Sequence, residues 1–372
     1  MKVICDREKF WQAFQAAQSV APTRSPKPVL SNVKLEVTKE GATLLGTDLE
    51  ISMRIEVAGV DMEAPGAALL PIARFGAILR ENSDEKLVIE SDGNKTEVRG
   101  QWSQFQLPSS NPAEFPAVPA FAEKKFHEVP ARFFREVVRR TIFATDPESS
   151  RYALGGVLLE MLPETLIAVA TDGRRLAKQE GPATSVGEHT TGDRMTIVPT
   201  RAMQAIDRAL GDSDDVIRIA ARDNDVVVKG GAATVCTRLV EGRFPKWRDV
   251  FPRRDDVVRI EMPIGPFYAA VRQAAIVTSE ERRGVEFKFG DGKLVLAGHG
   301  AEFGESHVEM PIPFEGDADP VNLDPRFVSD FLRVLDAEKN CTIELRSSEM
   351  AVVISTDDNY SYIVMPLARD SN

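Results

Sequence analysis

The 372-residue chain is 43% hydrophobic and 28% charged, a balance typical of globular proteins with apolar cores, and it is long enough for two or three domains. No stretch approaches the roughly 18 apolar residues of a membrane span, and the charged first residues lack the apolar run of a signal peptide. Cys5, Cys236 and Cys341 are too widely spaced for a disulfide framework or a metal site. We therefore expect a cytoplasmic protein with reduced thiols and no membrane contact.

The net charge of −11 at pH 7 argues against a protein that grips phosphates tightly over its whole surface. It is compatible with an acidic exterior around a basic inner face, because the distribution of charge matters more than its sum.

One arrangement of elements occurs three times along the chain. Each copy opens with a short strand and an amphipathic helix, predicted at residues 7–19, 131–143 and 266–277. A strand, a turn and a second strand follow, as in 33–37 and 42–45 of the first copy. The recurrence predicts an α+β fold built from three similar domains.

A second helix in each copy is predicted to begin at a proline. Pro71, Pro199 and Pro325 are 128 and 126 residues apart, and proline suits the first helical position because its missing N–H would be unpaired there. Proline-rich or charged segments at 111–125 and 249–256 read as linkers. We place the domains at residues 1–122, 123–252 and 253–372.

The chain carries no sequence signature of a catalytic centre. It lacks a phosphate-binding Gly-x-x-x-x-Gly-Lys loop, His-Glu-x-x-His and Gly-x-Ser-x-Gly, and Gly290-x-Gly292 fits a hairpin turn. His299 and His307, near Glu302 and Glu305, could bind a metal, although a solvated acidic surface is the simpler interpretation. We expect no enzyme activity, no metal and no cofactor.

Asp48 and Asp172 recur at equivalent turns, 124 residues apart. Paired carboxylates can bind Mg²⁺, which keeps a metal-dependent nuclease or hydrolase as an alternative. The competing interpretation is that each aspartate bonds the backbone of its own turn.

The helix predicted at 131–143 has a basic face. Arg132, Arg135 and Arg139 lie opposite its apolar face, and Glu136 is its only acid. Aromatic residues are not interleaved with these arginines, which favours sequence-independent contact with a phosphate backbone over base stacking. A solvated face remains the alternative.

Several motifs, in order over essentially the whole chain, resemble the bacterial beta sliding clamp family, the beta subunit of DNA polymerase III. They are Pro28–Asn32, Leu45–Glu50, Arg151-Tyr152, Ala170–Ala177, Leu239–Pro245 and Val364–Leu367.

The resemblance implies a clamp that encircles double-stranded DNA without sequence preference, tethers the replicative polymerase for processive synthesis and recruits other factors. It implies a head-to-tail homodimer that closes into a ring of six domains, with helices lining the hole and sheets outside. The implied protein partners are the polymerase III alpha subunit, the clamp loader and other proteins with a clamp-binding motif. A clamp-like paralogue acting as a decoy or resistance protein is an alternative.

Residue roles follow from the resemblance by position. At the dimer interface, Phe105 and Leu107 would meet Ile276 and Val277, although these four could also be ordinary core. Arg74 and Arg99 would face Glu302 and Glu305. Beside the arginine stripe of the helix, the DNA-facing residues would be Arg24, Lys27, Arg151, Tyr152 and Arg201.

A peptide-binding groove is implied between the second and third domains, where Met and branched aliphatic side chains can adapt to several related peptides. Its residues would be Leu154, Thr171, Gly173, Arg174, Arg175, Leu176, Pro245, Val250, Ile363, Val364, Met365, Pro366 and Leu367. Core packing of a strand end is the alternative for Leu176 and Val364.

Four positions depart from the family pattern. Arg174 replaces the usual histidine, Asp249 stands where arginine is common, Ala153 replaces a second tyrosine, and the ending 368–372 is longer and more polar. These departures bear on peptide preference and on the strength of DNA contact.

Overall fold

The computed structural model describes residues 1–22, 24–149, 153–210, 216–251, 257–279, 283–300 and 303–368. The chain forms two compact units. The first contains Met1–Phe134, Met161–Glu164 and Ala183–Leu239, and the second contains Arg135–Glu160, Thr165–Pro182 and Val240–Asn372.

The described residues contain six α-helices. These are α1 (Arg7–Gln18), α2 (Ile72–Glu81), α3 (Ala131–Thr141), α4 (Thr200–Leu210), α5 (Ile264–Ala274) and α6 (Pro325–Arg333). None is long and apolar enough to cross a membrane. Short 3₁₀ turns follow α3 at Ile142–Ala144 and α5 at Ala275–Val277.

The strands are given in chain order. The first nine are β1 (Lys2–Asp6), β2 (Asn32–Thr38), β3 (Gly41–Thr47), β4 (Ile51–Val57), β5 (Val60–Ala64), β6 (Gly66–Pro71), β7 (Lys86–Ser91), β8 (Lys95–Arg99) and β9 (Gln104–Pro108). The next nine are β10 (Phe126–Pro130), β11 (Gly156–Leu162), β12 (Thr165–Thr171), β13 (Arg175–Pro182), β14 (Thr184–Val186), β15 (Ile197–Pro199), β16 (Val216–Ala221), β17 (Asp225–Gly230) and β18 (Ala233–Arg238). The last eight are β19 (Val258–Pro263), β20 (Val285–Gly290), β21 (Lys293–Gly300), β22 (Gly304–Pro311), β23 (Val321–Leu323), β24 (Asn340–Leu345), β25 (Val352–Ser355) and β26 (Tyr360–Val364).

The predicted amphipathic helices are confirmed, and α1 shows why they form. The Asp6 side chain accepts a hydrogen bond from the Lys9 amide (3.0 Å) and so caps the first turn. Phe10, Phe14 and Ala17 lie on one face and are buried. Their burial supplies the packing energy that a helix of three turns needs.

The three prolines were predicted to be first helical residues. The prediction is correct for one of them and wrong by one residue for the other two. Pro325 is the first residue of α6, and the Asp324 side chain caps that helix. Pro71 and Pro199 instead end β6 and β15, and α2 and α4 begin one residue later. Pro71 is extended, with ψ 119°, so the strand continues up to the helix boundary.

The first unit contains two sheets. Five strands lie in the order β5-β1-β7-β8-β9, and nine lie in the order β14-β10-β16-β17-β18-β4-β3-β2-β6. The pairing of β18 with β4, antiparallel from Ala233↔Ile55 to Thr237↔Ile51, joins strands of the first two sequence repeats into one sheet. Helix α1 packs on this sheet at Gly46, where an added Cβ would lie 2.0 Å from the Ala17 carbonyl oxygen.

In the second unit, seven strands lie in the order β11-β12-β13-β26-β25-β24-β19, and four lie in the order β22-β21-β20-β23. The antiparallel pairing of β13 with β26 joins the second repeat to the third. The predicted hairpin at 290–292 is confirmed, since Gly290 pairs with Lys293. Asp291 (φ 51°) and Gly292 (φ 70°) adopt the left-handed conformations that a two-residue hairpin loop favours.

Candidate partner-binding groove and nucleic-acid-facing surfaces

The segment Thr171–Arg175 forms a tight turn that leads from β12 into β13. The Thr171 hydroxyl donates to the Arg175 carbonyl (2.6 Å) and accepts from the Gly173 amide (3.0 Å). Asp172 Oδ1 accepts from the amides of Arg174 (2.9 Å) and Arg175 (3.0 Å). Gly173 has φ +87°, which glycine adopts without a Cβ clash. The interpretation that Asp172 bonds its own turn backbone is confirmed.

The Arg175 guanidinium is enclosed by its neighbours in the second unit. It donates to Asp172 (2.9 Å), Asp330 (2.7 Å) and the Phe143 carbonyl (2.6 Å). Its Cζ also lies 4.5 Å from the centroid of the Phe327 ring. With a hydrogen bond from each of its three nitrogens and an aromatic ring against one face, this arginine holds the turn in place.

The chain beyond β26 is fixed by backbone hydrogen bonds on both sides. The Met365 amide donates to the Arg174 carbonyl (2.9 Å), and the Leu367 amide donates to the Asn322 carbonyl (2.8 Å). The segment that the resemblance places in the groove therefore lies in a defined position against the turn and β23.

The thirteen residues assigned to the groove separate by exposure. Exposed or half-exposed are Gly173, Arg174, Pro245, Val250, Met365, Pro366 and Leu367. Buried are Leu154, Thr171, Leu176, Ile363 and Val364, and Arg175 is enclosed as described. All thirteen belong to the second unit. Five members of the exposed set, Pro245, Val250, Met365, Pro366 and Leu367, offer apolar side chains at the surface.

A cluster centred on Trp247 lies next to Val250 in the chain. Trp247 is buried and its indole Nε1 donates to Glu160 Oε1 (2.9 Å). Arg248 donates to both oxygens of Glu160 (3.0 and 2.6 Å) and lies over the Trp247 ring at 4.1 Å. Burial alone would raise the pKa of Glu160, but the hydrogen bonds from Arg248 and Trp247 lower it below its usual value. The cluster fixes the segment that carries Val250, while Asp249 is exposed beside it.

The predicted arginine stripe lies along α3 with unequal exposure. Arg132 and Arg139 are exposed, and Arg135 is half-buried. The Nη2 atom of Arg135 is buried without a hydrogen-bond partner in the described part of the chain. Two of the three charges are thus fully available to an external phosphate.

The other residues predicted to face DNA are in different situations. Arg24 and Lys27 are exposed. Arg201 forms an ion pair with Asp48 and also donates to the Val20 carbonyl (3.3 Å), so much of its charge is already compensated. Arg151 and Tyr152 lie outside the described residues.

The first set of predicted interface residues lies on and near β9, an edge strand of the five-stranded sheet. Phe105 is exposed, Leu107 is half-exposed, and Arg74 on α2 is exposed. Arg99 pairs with Glu90 (2.6 Å) and Glu97 (3.3 Å) within the chain, so its charge is partly used internally. Beside this strand is a cavity of about 390 Å³, lined by Ala77, Ile78, Glu81, Asn82, Ser83, Asp84, Trp102, Ser103 and Phe105.

The second set lies near β22, an edge strand of the four-stranded sheet. Ile276 is 76% exposed and Val277 is half-exposed. Glu305 is exposed and lies 3.4 Å from His299 Nδ1, while Glu302 lies outside the described residues.

The groups considered for metal binding have other partners. Asp48 accepts from the amides of Glu50 (3.0 Å) and Ile51 (2.7 Å), which confirms its turn-capping role. His307 pairs with Glu309 at the surface (3.1 Å). Throughout the described ranges, no three His, Cys, Asp or Glu side chains come together as a metal site.

Comparison with known proteins gives the same assignment along the chain. Models of the DNA polymerase III beta subunit match its N-terminal domain at residues 1–119, its central domain at 128–246 and its C-terminal domain at 248–368. The chain belongs to the DNA polymerase III beta-subunit family.

Individual members of the family match over their full length. The beta sliding clamp of Escherichia coli K12 is 28% identical over 371 residues, which cover 99% of this chain and 100% of that protein. The crystal structure of the Pseudomonas aeruginosa beta subunit superposes with a TM-score of 0.89 at 27% identity, covering 99% of this chain and 100% of that one. A P. aeruginosa clamp bound to griselimycin gives 0.91 at 27% identity and covers 99% of each chain.

Membership in the beta-subunit family confirms the family resemblance seen in the sequence and the predicted α+β fold of three similar domains. Sliding clamps as a family are non-catalytic processivity factors. The domain boundaries at 122/123 and 252/253, and the roles of single residues, stay predictions.

Sequence reasoning missed several residues in these surfaces. Trp102, 89% exposed, lines the cavity beside β9, and Phe303, 63% exposed, precedes β22. Each is a large apolar residue in a polar segment, a signal that could have marked it. The Trp247–Glu160 pair has no comparable signal, because its partners are 87 residues apart.

Proposed function

We propose that this protein is a DNA sliding clamp. Two copies close head to tail around duplex DNA and hold a replicative polymerase on its template. The observation that carries the proposal is the in-order match of all three beta-subunit domains over nearly the whole chain.

The charge distribution suits a ring that slides. A net charge of −11 keeps most of the surface from adhering to DNA. The exposed Arg132 and Arg139 on α3, with Arg24 and Lys27, supply a small number of mobile phosphate contacts. Few contacts of this kind give weak, sequence-independent attraction, while enclosure supplies the retention.

Ring closure would use the two edge strands. An edge strand offers unpaired N–H and C=O groups that can pair with a strand of another chain. β9 and β22 are such edges, each with exposed apolar residues nearby, Phe105 and Trp102 for one and Ile276 and Phe303 for the other. Two unlike surfaces on one chain fit a heterologous, head-to-tail contact. In this arrangement Ile276 of one copy would enter the cavity beside β9 of the next.

The exposed groove residues support docking of short peptides from the polymerase III alpha subunit, the clamp loader and other partners with a clamp-binding motif. Met365, Val250, Leu367 and the two prolines Pro245 and Pro366 provide apolar contacts. The surface is fixed by the backbone bonds of Met365 and Leu367 and by the Trp247 cluster. A preformed surface of this kind loses little entropy on binding.

We propose no catalytic role for the chain, which would act in the cytoplasm where bacterial replication occurs. Asp48 and Asp172, the carboxylates considered for metal chemistry, cap turns and pair with Arg201 and Arg175. Their structural roles account for their recurrence without a nuclease.

A topological retention experiment tests the function. Labelled protein would be loaded onto nicked circular plasmid with the clamp loader and ATP, and bound protein would be separated by gel filtration. We expect retention on the circle and loss after a single cut that makes the plasmid linear. Equal retention on circular and linear DNA would contradict enclosure. Loss from the linear form without any stimulation of polymerase would favour the decoy paralogue.

A further inference from the structure

A column of stacked side chains runs through the core of the second unit. The Arg140 guanidinium lies over the Tyr360 ring at 5.0 Å. Tyr360 stacks on Phe331 (centroids 5.1 Å apart, 21° between planes), and Phe331 stacks on Tyr362 (4.9 Å, 19°). The column thus brings side chains of α3, α6 and β26 into direct contact.

The Arg140 end of the column is locked by hydrogen bonds. Arg140 is 7% exposed, and its Nη1 donates to Gln179 Oε1 (2.7 Å) and lies 2.8 Å from Asp358 Oδ2. The Tyr360 hydroxyl donates to the Arg140 carbonyl (2.7 Å). The guanidinium therefore bonds through Nη1 and lies over the Tyr360 ring, a combination that lysine cannot reproduce, while its buried Nε has no hydrogen-bond partner among the described residues.

The opposite end of the column reaches the turn that borders the groove. The Tyr362 hydroxyl donates to the Phe327 carbonyl (3.0 Å), and its ring lies 5.8 Å from Phe143. Phe143 and Phe327 are the residues that enclose Arg175.

We propose that Arg140 is a positioning residue of the peptide groove, an inference that rests on the proposed function. It does not belong to the groove and is buried at the opposite end of the column. Through Tyr360 and Tyr362 it sets the position of β26, and β26 continues directly into Met365, whose amide is bonded to the turn at Arg174. Loosening the column leaves the groove residues present but less ordered, and peptide binding must then supply the ordering.

The test is a fluorescence-anisotropy titration of a labelled polymerase tail peptide against wild type, Arg140→Ala and Arg140→Lys. We expect Arg140→Ala to weaken binding by about 2- to 30-fold, the range found for residues that act through a packed network. Arg140→Lys should recover part of the affinity, because it keeps a cation near Asp358 but cannot stack on Tyr360. Lys288→Ala, which removes an exposed cation from β20 in the other sheet of the second unit, should bind the peptide as wild type does.

A second control separates positioning from general loss of stability. Leu294→Ala truncates a buried side chain of β21, in the other sheet of the second unit. We expect it to lower the urea midpoint while leaving the peptide Kd unchanged. Wild-type affinity in an Arg140→Ala protein with a lowered midpoint would overturn the proposal.

If Arg140→Ala does not fold, Arg140→Lys carries the test, since it keeps a cation near Asp358 and removes the guanidinium that stacks on Tyr360. We expect it to weaken binding about twofold or more, and unchanged affinity would overturn the proposal. Failure of wild type itself to bind the peptide would contradict the groove and with it the proposed partner function, a result distinct from wild-type affinity in the variants.

Discussion

His127 and His189 are buried in the first unit with their Nδ1 atoms 2.7 Å apart. The Ala221 amide donates to His189 Nε2 (3.1 Å), so that nitrogen carries no proton and His189 donates through Nδ1. His127 then accepts at Nδ1 and donates through Nε2 to the Leu162 carbonyl (2.7 Å). One tautomer of each neutral ring satisfies all these contacts. A proton added to either ring would place two N–H donors against each other.

The histidine pair predicts loss of stability in acid. Burial lowers the pKa of both rings below the ordinary 6.5; the carbonyls of Leu162 and Ala221 and nearby Glu123 act in the opposite direction, and Arg194 adds to the lowering. Above pH 6.5 the rings are neutral in both states, so stability is complete. Below it the unfolded chain takes up protons first, and the free energy of unfolding falls by up to about 1.4 kcal/mol per pH unit for each histidine.

Urea unfolding at pH 7.5 and pH 5.5 checks this expectation. Wild type should lose stability between the two, whereas the double variant His127→Leu with His189→Leu should be less stable at pH 7.5 but lose less on acidification. His299→Gln, a change to an exposed histidine, is the matched control and should follow wild type. An equal acid effect in the double variant would assign it to other groups.

The contact between α1 and β3 predicts a strict requirement for glycine at position 46. In Gly46→Ala the new Cβ would lie 2.0 Å from the Ala17 carbonyl oxygen and 3.2 Å from Val20 Cγ2. Because the first obstacle is helix backbone, we expect a loss of roughly 1–3 kcal/mol in the free energy of unfolding. At Gly155 the nearest atom to an added Cβ is Pro147 Cα at 3.5 Å, so Gly155→Ala should cost much less in the same urea titration.

Features set by neighbouring residues could be predicted from the sequence. The amphipathic helices follow from apolar spacing, and the 290–292 hairpin follows from an Asp-Gly loop between alternating strands. The helix starts at Pro71 and Pro199 were displaced by one residue, because proline suits the last extended residue before a helix as well as the first helical one.

Features set by distant residues could not be predicted in this way. Tyr360 and Arg140 are 220 residues apart, and nothing in either local segment indicates the other. The same holds for the ion pair of Arg201 with Asp48, which turns a predicted DNA contact into a largely compensated charge. The positions of the groove residues could be given only by resemblance, since their apolar character fits core and binding surface alike.

The arginine stripe predicts a salt-dependent DNA affinity. Replacing the exposed Arg132 and Arg139 by alanine should weaken binding to short linear duplexes. It should also reduce the log–log salt slope by up to about 0.9 for each phosphate that an arginine no longer neutralises. Arg201→Ala should change the slope much less, because Asp48 already pairs with that charge. Anisotropy titrations over a series of salt concentrations give the slopes, and an unchanged slope in the double variant would place the DNA-facing surface elsewhere.

The apolar residues near β22 predict the assembly state. Ile276 is 76% exposed in the single chain, so Ile276→Ala with Val277→Ala should leave the fold intact while weakening the dimer. Each truncation at a buried interface should cost about 2–4 kcal/mol of dimer free energy. Sedimentation velocity should show a wild-type dimer and a monomeric double variant at nanomolar concentration. Met195→Ala, a change to another exposed apolar residue, should remain dimeric, and a dimeric double variant would show that the interface lies elsewhere.

The free charge of Arg174 predicts which peptides bind best. Arg174, which we predict at the groove rim, is exposed, and its guanidinium forms no ion pair in the described part of the chain, whereas the adjacent Arg175 is enclosed by Asp172 and Asp330. Arg174 also lines a cavity of about 540 Å³, and Phe327 and Arg326 are among the other lining residues. A peptide with an acidic residue next to its apolar anchor should therefore bind more tightly than its neutral counterpart, by about 0.5–1 kcal/mol at this exposed site.

Titrating both peptides against wild type and Arg174→His at pH 8, where an exposed histidine is neutral, isolates the charge. The preference should disappear in the variant while the neutral peptide keeps its affinity. A preference that persists in Arg174→His would assign it to another cation, and weaker binding of both peptides would make Arg174 a packing residue of the groove.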